Sequence, residues 1–274
     1  MFWNLKEGNI KIGNGNMDYA AFGSGERSLV IIPGLSLCPL RGAGASLAFM
    51  YRMLAKDFRV YVIDKISPVP DGYTVSDIAR DTAYAIKELG IERAAIFGVS
   101  LGGMVAQRIA IDYPELTESL VLAVTAARSN PTIEAVISRW LAFAQNNNFG
   151  GIITDMMTVM YSERYVKKYR ILFPILSKFY RPKDPEGFIR LAKSCLTCNT
   201  YADLDKIKCK SLVLGGECDM IVTPDASREI AEKIGCEIHM YEGLGHSAYE
   251  EAPDFNKRIC SFLGAVHSER AEKS

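Results

Sequence analysis

The sequence predicts an α/β fold: a mostly parallel, eight-stranded sheet with an N-terminal hairpin, helices on both faces and a helical cap insertion. Three observations predict it. Short apolar runs alternate with helical patterns over residues 29–124 and again over 211–263. A parallel sheet requires that order, because each helix returns the chain to start the next strand. Asn14-Gly15 lies between stretches of alternating polar and apolar residues, a signal for a two-residue hairpin turn. Between 127 and 200 the rhythm lapses into helical stretches with no convincing strand.

The hairpin is expected over residues 9–22. Leu29-Val30-Ile31-Ile32 is a continuous apolar run ended by Pro33-Gly34, which suits a strand buried on both faces. Residues 46–56 carry apolar positions at helical spacing, and Arg59–Ile63 reads as a strand ending at Asp64. Val75–Leu89 is a helix with Ile78, Ala79, Thr82, Ala85, Ile86 and Leu89 on one face, stopped by Gly90. Ala94–Phe97 and Ser119–Val124 are strands around a helix, Leu101–Tyr113, that Pro114 ends. After the insertion come strand Ser211–Leu214, helix Asp225–Ile234, strand Glu237–Tyr241 and helix Asp254–Leu263. The charged tail from His267 to Ser274 is expected to fray. The domain reading is a core of residues 1–126 and 201–274 with a cap over 127–200.

The chain has 274 residues, 49% hydrophobic, with 32 basic against 32 acidic side chains. That composition supplies a sizeable core and gives no reason to expect nucleic acid or an anionic membrane as the main partner. No apolar run approaches the ~18 residues of a membrane span. Met1-Phe2-Trp3-Asn4-Leu5-Lys6-Glu7 lacks the parts of a signal peptide. Seven scattered cysteines, an odd count, fit reduced thiols. A cytoplasmic protein acting on a small molecule is expected.

Gly98-Val99-Ser100-Leu101-Gly102 follows a strand and opens a helix. A serine on so sharp a strand-to-helix turn needs flanking residues without side chains, here Gly98 and Gly102. The turn lifts the Ser100 hydroxyl above the sheet. It also leaves the Leu101 N–H at a helix start, where it can stabilise an oxyanion.

A serine hydroxyl needs a general base near neutral pH, most often histidine. There are three histidines. His267 is in the tail, and His239 is inside a predicted strand. His246 lies in Gly243-Leu244-Gly245-His246-Ser247, just past a strand's carboxyl end, where open α/β sheets build their sites. The imidazole in turn needs a carboxylate. Asp219, in Gly215-Gly216-Glu217-Cys218-Asp219 after the neighbouring strand, is favoured over Glu217 by its distance past that strand. The second oxyanion donor is expected from Pro33-Gly34-Leu35-Ser36, as the Leu35 N–H.

Together these segments resemble the α/β-hydrolase superfamily, in its capped esterase, aminopeptidase and C–C hydrolase branch. The resemblance covers about residues 10–125 and 200–264 and is strongest in 98–114, 207–224 and 243–253. It implies that Ser100, Asp219 and His246 form a catalytic triad, that Leu35 and Leu101 form the oxyanion hole, and that no metal or organic cofactor takes part. Two departures bear on the walls of the site. Many relatives have His-Gly where this chain has Pro33-Gly34. Many have Asp-x-Arg-Gly-His-Gly where it reads Asp64-Lys65-Ile66-Ser67-Pro68.

The insertion is rich in methionine and aromatics, including Trp140, Met156, Met157, Met160, Tyr161, Phe179 and Tyr180. Some are expected to roof an apolar pocket, and most to pack the cap helices. Arg139, Arg164, Arg170 and Arg190 suit surface ion pairs better than a substrate carboxylate. Cys195 and Cys198 have C-x-x-C spacing but no second pair or nearby histidine, so helix packing is favoured over zinc or redox sensing. Arg41-Gly42-Ala43-Gly44 lacks the lysine of a phosphate loop. The expected activity is hydrolysis of a small or medium, largely apolar ester through an acyl-enzyme. The alternatives are C–C bond hydrolysis, aminopeptidase or perhydrolase chemistry with the same triad, or ligand binding by a signalling protein of this fold.

Overall fold

The computed structural model describes residues 4–173, 175 and 182–271. Phe179 and Tyr180 lie outside them. Eight strands, β1 (Lys6–Ile12), β2 (Gly15–Phe22), β3 (Arg27–Ile32), β4 (Phe58–Ser67), β5 (Ala94–Val99), β6 (Thr117–Ala123), β7 (Lys210–Gly216) and β8 (Glu237–Tyr241), form one sheet. Their order is β1-β2-β4-β3-β5-β6-β7-β8. The pairings β1/β2 and β2/β4 are antiparallel, and the rest are parallel.

Successive strand residues point to opposite faces, and the apolar runs fill both. Val30, Ile32, Ile96, Leu120, Leu122 and Val213 join a layer with α2 (Val75–Glu88), α3 (Leu101–Asp112) and α8 (Pro224–Ile234). Leu29, Ile31, Ala95, Phe97, Val121 and Leu212 face the other way. They pack against α1 (Gly44–Met50), α9 (Ala248–Glu251) and α10 (Phe255–Ala271).

Four boundaries differ from the sequence expectation for identifiable reasons. The hairpin closes at Ile12 opposite Gly15, so its two turn residues are Gly13 and Asn14. Gly13 takes φ +55°, a conformation open to glycine at no steric cost. Strand β4 runs past Asp64 to Ser67 because Asn16 and Met17 of the hairpin pair with Ser67 and Ile66. The expected helix over 46–56 is α1 followed by a separate 3-10 turn at Leu54–Lys56. Of the tail expected to fray, residues 267–271 are helical and residues 272–274 lie outside the described residues. Helix α10 continues to Ala271, held by the buried side chains of Leu263 and Val266.

The segment between β6 and β7 contains α4 (Pro131–Gln145), α5 (Phe149–Met160), α6 (Glu163–Tyr169) and α7 (Pro185–Leu196). It leaves and rejoins the sheet at one place. Thr200 N–H donates to Ala127 O at 2.6 Å and Ser129 N–H to Cys198 O at 3.2 Å. Thr200 Oγ1 reaches the fully buried Gln107 of α3 at 2.6 Å. Ile133, Ile137, Trp140 and Leu191 of these helices continue the apolar layer of α2 and α3.

Helix α3 starts hard against the carboxyl end of β3. A Cβ on Gly102 would stand 1.9 Å from Ile32 O, and one on Gly98 would stand 2.3 Å from Gly102 O. Both obstacles are backbone, so neither yields without moving strand β3 or helix α3. Gly102→Ala should therefore destabilise the fold by about 3 kcal/mol or more, the upper range for overpacking. Thermal unfolding would show this as a midpoint lowered by about 10 °C; a midpoint equal to wild type would contradict it.

Candidate active site

Ser100 occupies the turn between β5 and α3 with φ +54° and ψ −120°. Such backbone is sparsely populated by residues with a side chain and persists only where the surroundings over-determine it. Here they do. Ser100 N–H donates to Ala123 O at 2.9 Å, and its carbonyl accepts from Gly103 N at 2.8 Å. The Thr125 hydroxyl donates to that same carbonyl at 2.7 Å. A Cβ on Gly103 would lie 2.6 Å from Thr125, so the second glycine of the Gly102-Gly103 pair admits this brace. The sequence reading missed Thr125. Its signal was a hydroxyl just past the strand next to the elbow.

Asp219 and His246 arrive on two loops that zip together beyond β7 and β8. Glu217 N–H donates to Tyr241 O at 3.0 Å, and Cys218 N–H to Leu244 O at 2.9 Å. A Cβ on Gly216 would stand 2.3 Å from Gly245 O, and one on Gly245 would stand 2.9 Å from Met160 O. The glycines of both loops are thus set by close backbone approach.

The three side chains meet. His246 Nε2 lies 2.9 Å from Ser100 Oγ, and Nδ1 lies 2.8 Å from Asp219 Oδ2. His246 and Asp219 are 3% and 5% exposed, so solvent does not compete for these contacts. Asp219 Oδ1 accepts from Ile221 N–H at 2.8 Å and Val222 N–H at 3.0 Å. Burial works to raise the Asp219 carboxyl, but the charge and hydrogen bond of His246 and the two amides outweigh it. The carboxyl is held below its ordinary value.

The competing residues lie elsewhere. Glu217 pairs with Arg228 at the surface. His239 sits half-buried in β8, edge-on to Tyr241, and His267 is exposed on α10. Leu101 is the first residue of α3, a position whose N–H has no intrahelical acceptor. Leu35 and Gly34 line the same cavity as Ser100 and His246. A Cβ on Gly34 would lie 3.2 Å from that of Ser100.

That cavity is narrow, about 50 Å³, and its other walls are apolar: Met104, Ile133, Ile137, Trp140, Met156, Met160, Ile221 and Val222 among them. Among the described residues, none that lines it is Lys, Arg, Asp or Glu. Arg139 makes a two-pronged pair with Asp155 at 2.9 Å on each arm, and Trp140 Nε1 donates to the same carboxylate at 2.7 Å. This fixes the Trp140 ring. Arg190 is committed to Val69 O at 2.6 Å. The end of α5 is tied to the histidine segment. Met160 O accepts from Ser247 N–H at 2.8 Å, and Glu251 accepts from Ser162 N–H at 2.8 Å and Oγ at 2.5 Å.

Burial pushes the thiols of Cys195 and Cys198 up to about 12. Each lies near a backbone carbonyl, Leu191 O and Ala127 O respectively. Among the described residues no group of three or more His, Cys, Asp or Glu is placed to hold a metal ion. Among them, too, no helix is long and apolar enough to cross a membrane. A wider polar groove of about 1150 Å³ opens at the amino ends of β7 and β8, but no histidine lines it. It is on the wrong side of the sheet for a site of this architecture.

Comparison with known proteins agrees with this architecture. A hydrolase of Pseudomonas sp. named for 2-hydroxy-6-oxononadienedioate and 2-hydroxy-6-oxononatrienedioate is 26% identical over 96% of this chain and 95% of its own length. A Serratia proteamaculans protein named as a carbamate hydrolase, RutD, is 33% identical over 86% of this chain and 90% of its own. The enol-lactonase of Burkholderia xenovorans LB400 superposes with a TM-score of 0.82 at 20% identity, covering 94% of this chain and all of that one, which bears on the fold. The family model described as "Alpha/beta hydrolase family" matches residues 29–255. The chain belongs to the alpha/beta hydrolase family.

Proposed function

We propose that this protein is a serine hydrolase that cleaves a small or medium, largely apolar ester through an acyl-enzyme. One observation carries the reading: the unbroken hydrogen-bonded line from Ser100 Oγ through His246 to Asp219, at 2.9 and 2.8 Å. In the proposed reaction His246 Nε2 takes the Ser100 proton as Oγ attacks the substrate carbonyl carbon. The oxyanion that forms is met by the N–H groups of Leu35 and Leu101. The tetrahedral intermediate collapses as His246 returns the proton to the leaving oxygen. Water, activated by the same imidazole, then frees the acid and restores Ser100. Asp219 holds the imidazole in the required tautomer and stabilises its charged form.

The cavity supports an uncharged substrate. The Pseudomonas relative is named for a dioate, whose carboxylates need cationic partners. Among the described residues no lysine or arginine lines the cavity, and Arg139 is committed to Asp155. We read residues 127–200 as a helical cap on a core of 1–126 and 201–274, with Trp140, Met156 and Met160 as the roof over the acyl group.

The test is a fluorophosphonate probe followed by turnover of p-nitrophenyl esters of increasing chain length. Wild type should be labelled at Ser100 and prefer short acyl chains. Ser100→Ala should lose labelling and about 10⁴-fold or more in kcat. An unlabelled wild type, or a mutant that hydrolyses as well as wild type, would end the reading. Trp140→Ala removes the roof, so the octanoate-to-butyrate ratio of kcat/KM should rise about 10-fold, within what a few added methylenes are worth; an unchanged ratio would exclude Trp140 as the limit on chain length.

Asp219→Asn should lower kcat about 10⁴-fold by losing the tautomer control. It should also change the acid limb of stability. Because the folded carboxyl titrates below its ordinary 3.8, its contribution is present above that value and is lost as pH falls through the folded pKa. Denaturant unfolding across this range should show wild type losing its advantage over Asp219→Asn below pH 3.8. A gap that stays constant with pH would contradict the assignment.

A further inference from the structure

Against the Pro33-Gly34-Leu35 loop stands a buried cation that the reaction above leaves without a task. Lys65 of β4 is 7% exposed. Its Nζ donates to Pro33 O at 2.5 Å and to Gly34 O at 2.7 Å. Burial pulls this ammonium below the ordinary lysine range, against the opposing pull of Asp64 and Cys195. Asp64 is not its main partner. That carboxylate is 4.0 Å away and is engaged by the N–H groups of Leu40 and Lys65 itself. The charge is aimed at the loop.

Peptide geometry gives this contact a consequence. The C=O and N–H of a planar trans peptide point in opposite directions. Gly34 O and the Leu35 N–H belong to one peptide. Drawing that carbonyl onto Nζ turns the Leu35 N–H away from Lys65, and both Gly34 and Leu35 line the Ser100 cavity. A glycine loop is otherwise free to rotate its peptide planes. The second bond, to Pro33 O, fixes the preceding plane as well. The ammonium also polarises the Gly34–Leu35 peptide, and charge-assisted bonds are about twice as strong as neutral ones.

We propose that Lys65 is a positioning residue for the reaction: its ammonium grips the carbonyls of Pro33 and Gly34 and thereby holds the Leu35 N–H on the substrate oxyanion. This assignment rests on Ser100 being the nucleophile. No bond to substrate is formed by Lys65 and no proton passes through it. Its effect is electrostatic preorganisation of a donor it does not own. A positively charged side chain in the departure from the relatives' Asp-x-Arg-Gly-His-Gly segment thus acquires a task.

The test compares wild type with Lys65→Met and Lys65→Gln in the full chain. The readouts are kcat and KM for p-nitrophenyl butyrate, and inhibition by an alkyl trifluoromethyl ketone, which forms a serine hemiketal oxyanion. Lys65→Met should lower kcat about 10²-fold, the effect of one lost oxyanion donor, with KM within about threefold. Ketone affinity should fall in step with kcat. Lys65→Gln keeps a donor for one carbonyl and should show the same split at about 10-fold. It carries the test if the methionine variant does not fold.

Folded variants with wild-type kcat, a loss confined to KM, or unchanged ketone affinity would overturn the proposal. If wild type itself is not labelled at Ser100 and turns over no ester, the nucleophile reading fails instead. If wild type is labelled and active and the Lys65 variants match it, only the positioning role fails.

Discussion

Ser100 is held at φ +54°, a conformation that costs on the order of 1–3 kcal/mol for a residue with a side chain. Two backbone segments and one side chain converge to impose it: the end of β3 under Gly102, the end of β6 bonded to the Ser100 N–H, and the Thr125 hydroxyl bonded to its carbonyl. The sheet order explains why these are the segments. Strand β5 lies between β3 and β6, so the turn that follows it is walled on both sides by strand ends. Parallel pairing puts all those ends on one edge. Every other part of the site is arranged around an oxygen whose position this turn decides.

Two buried charges bond to the loops around that oxygen. Asp219 accepts from two amides and from His246, and Lys65 donates to two carbonyls of the opposite loop. Burying an ion is costly unless its hydrogen-bonding capacity is met, and in both cases the partners are mainly backbone groups of loops that line the cavity. Each ion therefore orders its loop. The insertion is joined to this frame through Met160 O on Ser247 N–H and through Glu251 on Ser162, so the roof over the cavity and the histidine segment are one bonded unit.

Much of this was legible in the sequence because it depends on local pattern. The apolar runs at 29–32, 94–97 and 119–124 mark strands buried on both faces, and the glycines around Ser100 mark a turn where no Cβ fits. With three histidines, placement past a strand end was enough to single out His246, which the structure brings to Ser100 and Asp219. What was not legible depends on pairing between distant segments. The length of β4 follows from its register with β2. The hairpin turn shifted by one residue because cross-strand pairing, not the Asn-Gly pair, set its closure. Lys65 gave no sequence signal of its own, and Thr125 only that of a hydroxyl just past a strand, since each matters for the carbonyls that the fold brings to it. The four insertion arginines illustrate the same limit: only the structure shows Arg139 committed to Asp155 and Arg190 to Val69.

The central claim is that Ser100 carries the acyl group between two half-reactions. Rapid-quench mass spectrometry of the enzyme mixed with p-nitrophenyl butyrate tests it most directly. The account predicts a butyryl adduct on the peptide containing Ser100 that forms with a burst of p-nitrophenol and decays as butyrate is released. Steady turnover with no adduct on that peptide, or with the adduct on another residue, would contradict it.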